Sequence, residues 1–235
     1  MEVKVDLFAR KSEKHPELVG FANLTVGGIK IENVAIKQTV GKMGKKEYNF
    51  QVPSRNTGLK DEQGKDKYVK CFEISPKQEN AADGGKLVNG IRKAIEAAVK
   101  TEPNEYKAQS ATVEVDIPYD QDHITSYVNL ASSEKDEHLR GFASIYVGSI
   151  LRINDVALKE FENKETHEPF ASINFPSRDT GKVENGMPKY EENVYPIVKG
   201  MRQNMVDACV NAWSYENNMA KKQEQEKEKS QGEEM

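Results

Sequence analysis

Val3, Val5 and Leu7 alternate with polar residues at the start of the chain, the period-two pattern of a strand with one buried face. The same alternation returns over 21–26 and 29–36. Gly27-Gly28 joins these two segments and predicts a tight hairpin turn, because glycine reaches positive φ without steric cost. Segments 48–52 and 68–74 read as further strands, ending before Pro53 and Pro76. Leu87, Val88, Ile91, Ala94, Ile95, Ala98 and Val99 then fall on one face of a helix. After a connector the pattern starts again: a strand over 124–130, a strand pair joined by Gly148-Ser149, and strands 170–175 and 190–195 that meet Pro176 and Pro196. A closing helix follows, with Met201, Met205, Ala208, Cys209, Ala212 and Trp213 on one face. The connector itself alternates over 111–117 and predicts an additional strand. From Glu216 onward Lys, Glu, Gln and Asn dominate, which fits a solvated extension of the last helix or a disordered tail.

The two halves are one sequence unit written twice. Ser12-Glu13-Lys14 recurs as Ser133-Glu134-Lys135, and Gly20-Phe21-Ala22 as Gly141-Phe142-Ala143. The block 31–37 returns as 153–159, Pro53-Ser54-Arg55-Asn56-Thr57-Gly58 as Pro176-Ser177-Arg178-Asp179-Thr180-Gly181, and Lys67-Tyr68 as Lys189-Tyr190. Arg92–99 aligns with Arg202–209, with extra residues near 78–85 in the first copy. Ordered agreement across so many blocks marks a tandem duplication. The expected organisation is a first repeat at 1–101, a linker at 102–121, a second repeat at 122–215 and a charged tail at 216–235.

Charge separates the copies. Residues 1–100 carry 19 Lys+Arg against 13 Asp+Glu, whereas residues 101–220 carry 11 against 20. A basic half beside an acidic half points to a polyanion-facing surface on the first repeat and a different task for the second. No run approaches the ~20 apolar residues of a membrane span, and the N-terminus lacks the apolar core of a signal peptide, so a cytoplasmic protein without a membrane partner is expected. Cys71 and Cys209 stand far apart and read as packing residues, and His15, His123, His138 and His167 as surface residues, so neither a metal nor a cofactor is expected.

Two segments carry candidate chemistry. In the Pro-Ser-Arg-x-Thr-Gly block, Ser54, Arg55 and Thr57 offer hydroxyls and a guanidinium that can bond phosphate oxygens, with Arg178 in the same place but in acidic surroundings. The competing reading has Ser54 and Asn56, or Ser177 and Asp179, simply capping a turn. The second segment, 41–46, contributes Lys42, Lys45 and Lys46. It lacks the GxxxxGK[ST] spacing of a nucleotide-hydrolysing loop and reads as a basic hairpin loop. Lys65, Lys67, Lys70, Arg92 and Lys93 extend the same basic surface, and Tyr48, Tyr68 and Phe72 are candidate stacking faces. No nucleophile–base order, metalloprotease motif or isolated acidic pair stands out, so the chain is expected not to be an enzyme.

These motifs resemble the SpoVG family, the bacterial stage V sporulation or septation protein G. The resemblance rests on Gly20-Phe21-Ala22-Asn23 and Gly141-Phe142-Ala143-Ser144, on Val52-Pro53-Ser54-Arg55 and Phe175-Pro176-Ser177-Arg178, and on Pro76, Pro196 and the closing helices. It implies α+β architecture: two SpoVG-like domains, each an antiparallel sheet with a C-terminal amphipathic helix, pairing with each other as an intramolecular pseudo-dimer. It also implies a non-catalytic regulator that binds DNA or RNA, mainly through the basic first repeat. Family members usually have one domain; a tandem form suits a phage or mobile element. Two alternatives stand beside this: a protein-interaction module whose acidic second repeat mimics nucleic acid for a protein partner, and a single-stranded-DNA-binding protein.

Overall fold

A computed structural model describes residues 1–10, 12–41, 44–74, 78–101 and 108–232. The chain is strand-rich and α+β. In the first repeat β1 (Glu2–Ala9), β2 (Leu18–Val26), β3 (Ile29–Val40) and β4 (Lys46–Gln51) form an antiparallel meander. Val3, Val5 and Leu7 face inward at 1% exposure or less, as their alternation predicts. Gly27 and Gly28 both take positive φ, 54° and 80°, at the β2–β3 turn. The hairpin β5 (Ser54–Lys60) and β6 (Asp66–Lys70) follows, then β7 (Phe72–Ile74) and helix α1 (Ala81–Lys100). The extra residues of the first copy form a 3₁₀ turn, Gln78–Asn80, and the first turn of α1.

The second repeat follows the same order. It comprises β9 (Ile124–Leu130), β10 (Leu139–Val147), β11 (Leu151–Glu162), β12 (Pro169–Asn174), the hairpin β13 (Ser177–Glu184) and β14 (Met187–Glu192), β15 (Val194–Pro196) and helix α2 (Met201–Gly232). Between the repeats the connector supplies β8 (Gln109–Glu114), which pairs with β1 and widens the first sheet. The strand is shorter and earlier than the expected 111–117. Val115 and Ile117 leave the ladder and are buried instead. The tail resolves in favour of helix, since α2 runs to Gly232.

The repeats exchange a strand in each direction. Segments 68–74 and 190–195 are not single strands, contrary to expectation; each breaks at one residue, Cys71 or Asn193, and continues into the sheet of the other repeat. β7 pairs with β11, setting Phe72 opposite Ile153 and Ile74 opposite Leu151. β15 pairs with β3, setting Val194 opposite Ile31 and Pro196 opposite Ile29. The crossing points match. The Cys71 amide donates to the Pro53 carbonyl (2.9 Å), and the Cys71 carbonyl accepts from the Asn154 amide (3.0 Å). The Asn193 amide donates to the Pro176 carbonyl (2.8 Å), and its carbonyl accepts from the Glu32 amide (2.7 Å). One contiguous apolar core therefore contains residues of both repeats, from Val3 to Cys209.

Tyr119 of the connector sits between the two equivalent turns. Its hydroxyl donates to the Gly27 carbonyl, and its ring lies where a Cβ on Gly148 would be. Burial pushes its phenol well above the ordinary tyrosine range. Helix α1 packs on β1 and β8, and α2 on β9 and β10. The α1 contact is close: a Cβ on Gly90 would stand 2.2 Å from Val115 Cγ2. Alanine normally gains about 1 kcal/mol over glycine in a helix, but overpacking a filled site costs about 1–3 kcal/mol. Gly90→Ala is thus expected to lower the melting temperature, and a raised one would contradict this packing.

Candidate nucleic-acid interface

The Pro-Ser-Arg-x-Thr-Gly blocks begin two exposed arms, β5–β6 and β13–β14. The expected turn after the proline is instead the first strand of a hairpin, with a bulge inside the block. Asn56 Oδ1 accepts from the Gly58 amide (2.8 Å), and Thr57 Oγ1 donates to the Lys67 carbonyl across the arm (3.0 Å). Asp179 Oδ1 and Thr180 Oγ1 repeat both bonds, to the Gly181 amide (2.7 Å) and the Lys189 carbonyl (2.8 Å). Gly58 and Gly181 take φ of 74° and 69° to complete the bulge. The Thr57 hydroxyl is therefore engaged in shaping the arm.

Arg55 and Arg178 differ in partner. Arg178 lies opposite Glu191 in its own arm and pairs with it at 3.0 Å. Arg55 lies opposite Val69 and reaches across to the second repeat, where Nε and Nη2 clamp the Asp155 carboxylate, Nη2 at 2.6 Å from Oδ1. Asp155 occupies a bulge with φ of 61°, and its counterpart Asn33 has φ of 57° but no charge to offer. The Asp155 side chain is 13% exposed, so removing its partner leaves a largely dehydrated carboxylate. With Arg55 half exposed and screened, Arg55→Ala is expected to cost about 1–2 kcal/mol, and Arg178→Ala under about 0.5 kcal/mol. Urea denaturation of both variants checks the difference.

Ser54, Lys70 and Arg92 converge on one cleft of ≈ 700 Å³, which lies between β4, the base of the first arm, β7 and α1. Phe50, Val52, Phe72, Ile74 and Val88 supply its apolar wall, and Tyr68 stands on the arm at its rim. Arg92 donates to Asn49 Oδ1 (3.1 Å). Lys70 is exposed and has no ion pair among the described residues. Arg152 of β11 also reaches the cleft, paired with Glu73 opposite it across the exchanged ladder. In the second repeat the equivalent of Lys70 is Glu192, which binds the equivalent arginine, Arg202, at 2.6 Å. Arg202 also lies over the Phe175 ring, 4.7 Å from its centroid. The same frame therefore holds a cationic cleft in the first repeat and, at the equivalent positions of the second, a mutually neutralised Glu192–Arg202 pair.

The remaining candidates scatter. Lys65 and Lys67 are exposed on the first arm, and Lys45 and Lys46 precede and open β4. Lys93 borders a separate groove with Gly90, Glu114 and Asp116. Lys42 lies outside the described residues. Of the stacking candidates, Phe72 is core at 2% exposure, whereas Tyr68 is 61% exposed. Sequence reasoning missed Arg152 and Asp155; the available signal for Arg152 was its alignment with Lys30, a cation facing an exchanged strand in each repeat. Burial pushes both Cys71 and Cys209 up to about 11, so both are protonated thiols at neutral pH. Among the described residues no group of three His, Cys, Asp or Glu is placed to hold a metal, and no helix is long and apolar enough to cross a membrane. No protein-family model, no curated protein and no solved structure matches the chain.

Proposed function

We propose that the chain is a non-catalytic nucleic-acid-binding regulator, a tandem of SpoVG-like units that serve as each other's pairing partner, and that it contacts DNA or RNA through the first repeat. The observation that carries this reading is the charge contrast between equivalent positions, Lys70 with Arg92 lining a cleft in the first repeat and Glu192 paired with Arg202 in the second. Lysines on the first arm and beside β4 continue the cationic surface, and each phosphate contact adds counterion release to the affinity. A second reading has its own support. The second arm exposes the large apolar side chains Val183 (70%), Met187 (70%) and Tyr190 (61%) beside its carboxylates, which suits a protein partner.

Equilibrium binding of the full chain to single-stranded DNA, duplex DNA and RNA at two salt concentrations tests the proposal. The expected result is binding that weakens steeply with salt, with a slope of about 0.7–0.9 per phosphate contact. Absence of binding to all three favours the protein-interaction reading.

A further inference from the structure

Resting on the nucleic-acid reading, we infer that the first-repeat cleft receives an unpaired nucleotide of a single strand, its base against Tyr68 and its phosphate between Lys70 and Arg92. Three observations lead there. The first is shape: the cleft is concave, ≈ 700 Å³, and walled by β4, the arm and α1. A splayed base enters such a space, whereas a duplex presents stacked bases and a convex phosphate ridge that stays outside. The second is composition. The lining sets apolar Phe50, Val52, Phe72 and Ile74 beside the cations Lys70 and Arg92, with its one carboxylate, Glu73, already paired to Arg152, which suits a flat ring joined to an anion. The third is Tyr68 itself. It is 61% exposed and has no hydrogen bond or ring contact among the described residues, so its face is free to stack. Hydrophobic aromatic surface presented beside cations is the arrangement by which proteins hold single strands without reading their sequence.

The second repeat marks the limits of the site. Tyr190 is equally exposed, but the residues after it are Glu191 and Glu192 where Tyr68 has Val69 and Lys70. Glu192 puts a carboxylate where Lys70 puts a cation, and Arg202 is already held by Glu192 and seated over Phe175. Among the described residues there is therefore one such site, and the expected stoichiometry is one strand segment per chain.

Fluorescence anisotropy with a short labelled oligothymidine, the same-length duplex and thymidine monophosphate as competitor tests this on the full chain. The single strand is expected to bind more tightly than the duplex, and the mononucleotide to compete poorly because it lacks neighbouring phosphates. Tyr68→Ala is expected to weaken single-strand binding about 5–150-fold, the range of one base–aromatic stack, with an unchanged salt slope. Tyr68→Phe keeps the ring and is expected to retain affinity. Tyr68 is exposed on an arm, so neither variant should disturb folding, and circular dichroism checks that. Duplex binding as tight as single-strand binding, or full affinity in Tyr68→Ala, overturns the inference while leaving nucleic-acid binding intact. A mononucleotide that competes as well as the strand overturns the strand as ligand. No binding to either polynucleotide overturns both this inference and the reading beneath it.

Discussion

Phe72→Ala is expected to lower the stability of the entire chain by about 3–5 kcal/mol, the usual cost of emptying a buried phenylalanine site. Phe72 is 2% exposed and belongs by sequence to the first repeat, yet it pairs with Ile153 in the second repeat's sheet. The cavity would therefore open where the two repeats join, within a core common to both. For a chain of this size about 2–4 °C is lost per kcal/mol, so the melting temperature should fall by roughly 6–20 °C. Calorimetry should show one transition in the wild type and one displaced transition in the variant. Two transitions, only one of them moved, would mean that the repeats fold independently and that the exchanged strands contribute little.

The sheets and helices were legible because their apolar residues recur at clear periods. Val3, Val5 and Leu7 mark a strand with one wet face, and Ile91, Ala94, Ile95 and Ala98 a helix with one buried face. The arms were not legible. β5 and β6 are solvated on both sides, so no alternation distinguishes Ser54–Lys60 from a turn. The strand exchange was hidden for another reason. Phe72 and Val194 would fit a sheet edge in either repeat, since Ile29 and Ile31 have close counterparts in Leu151 and Ile153. A duplicated pattern cannot say which copy a strand joins. The role of Arg55 depended on the same point: its partner Asp155 lies 100 residues away and comes near only through the exchange. The cleft was legible in part, as Lys70, Arg92 and Ser54 were singled out by charge and motif, while Arg152 entered from the other repeat.

A reciprocal charge swap should have the largest effect on binding. Lys70→Glu gives the first cleft the residue that the second repeat already has at the equivalent position, and the new carboxylate can hold Arg92 as Glu192 holds Arg202. One cation is lost, one anion is gained and the arginine is withdrawn. Charged hydrogen bonds are worth about 1.5–3 kcal/mol each, so affinity for a polynucleotide should fall at least tenfold and toward a hundredfold or more. Stability should change by less than about 0.5 kcal/mol, because Lys70 is exposed. Glu192→Lys should act in the opposite direction, freeing Arg202 and raising affinity. Because the two swaps change the net charge by equal and opposite amounts, a gain from Glu192→Lys as large as the loss from Lys70→Glu would show that net charge, rather than the first cleft, governs binding.

The most direct measurement of where nucleic acid sits is amide chemical-shift mapping of the isotope-labelled full chain during titration with a single-stranded oligonucleotide. Binding through the first repeat predicts perturbed amides along 49–54, 68–74 and 88–92, the segments that wall the cleft, with their counterparts at 172–177, 190–196 and 198–202 little changed. Perturbations concentrated in those second-repeat segments, or spread equally over both, would contradict the account.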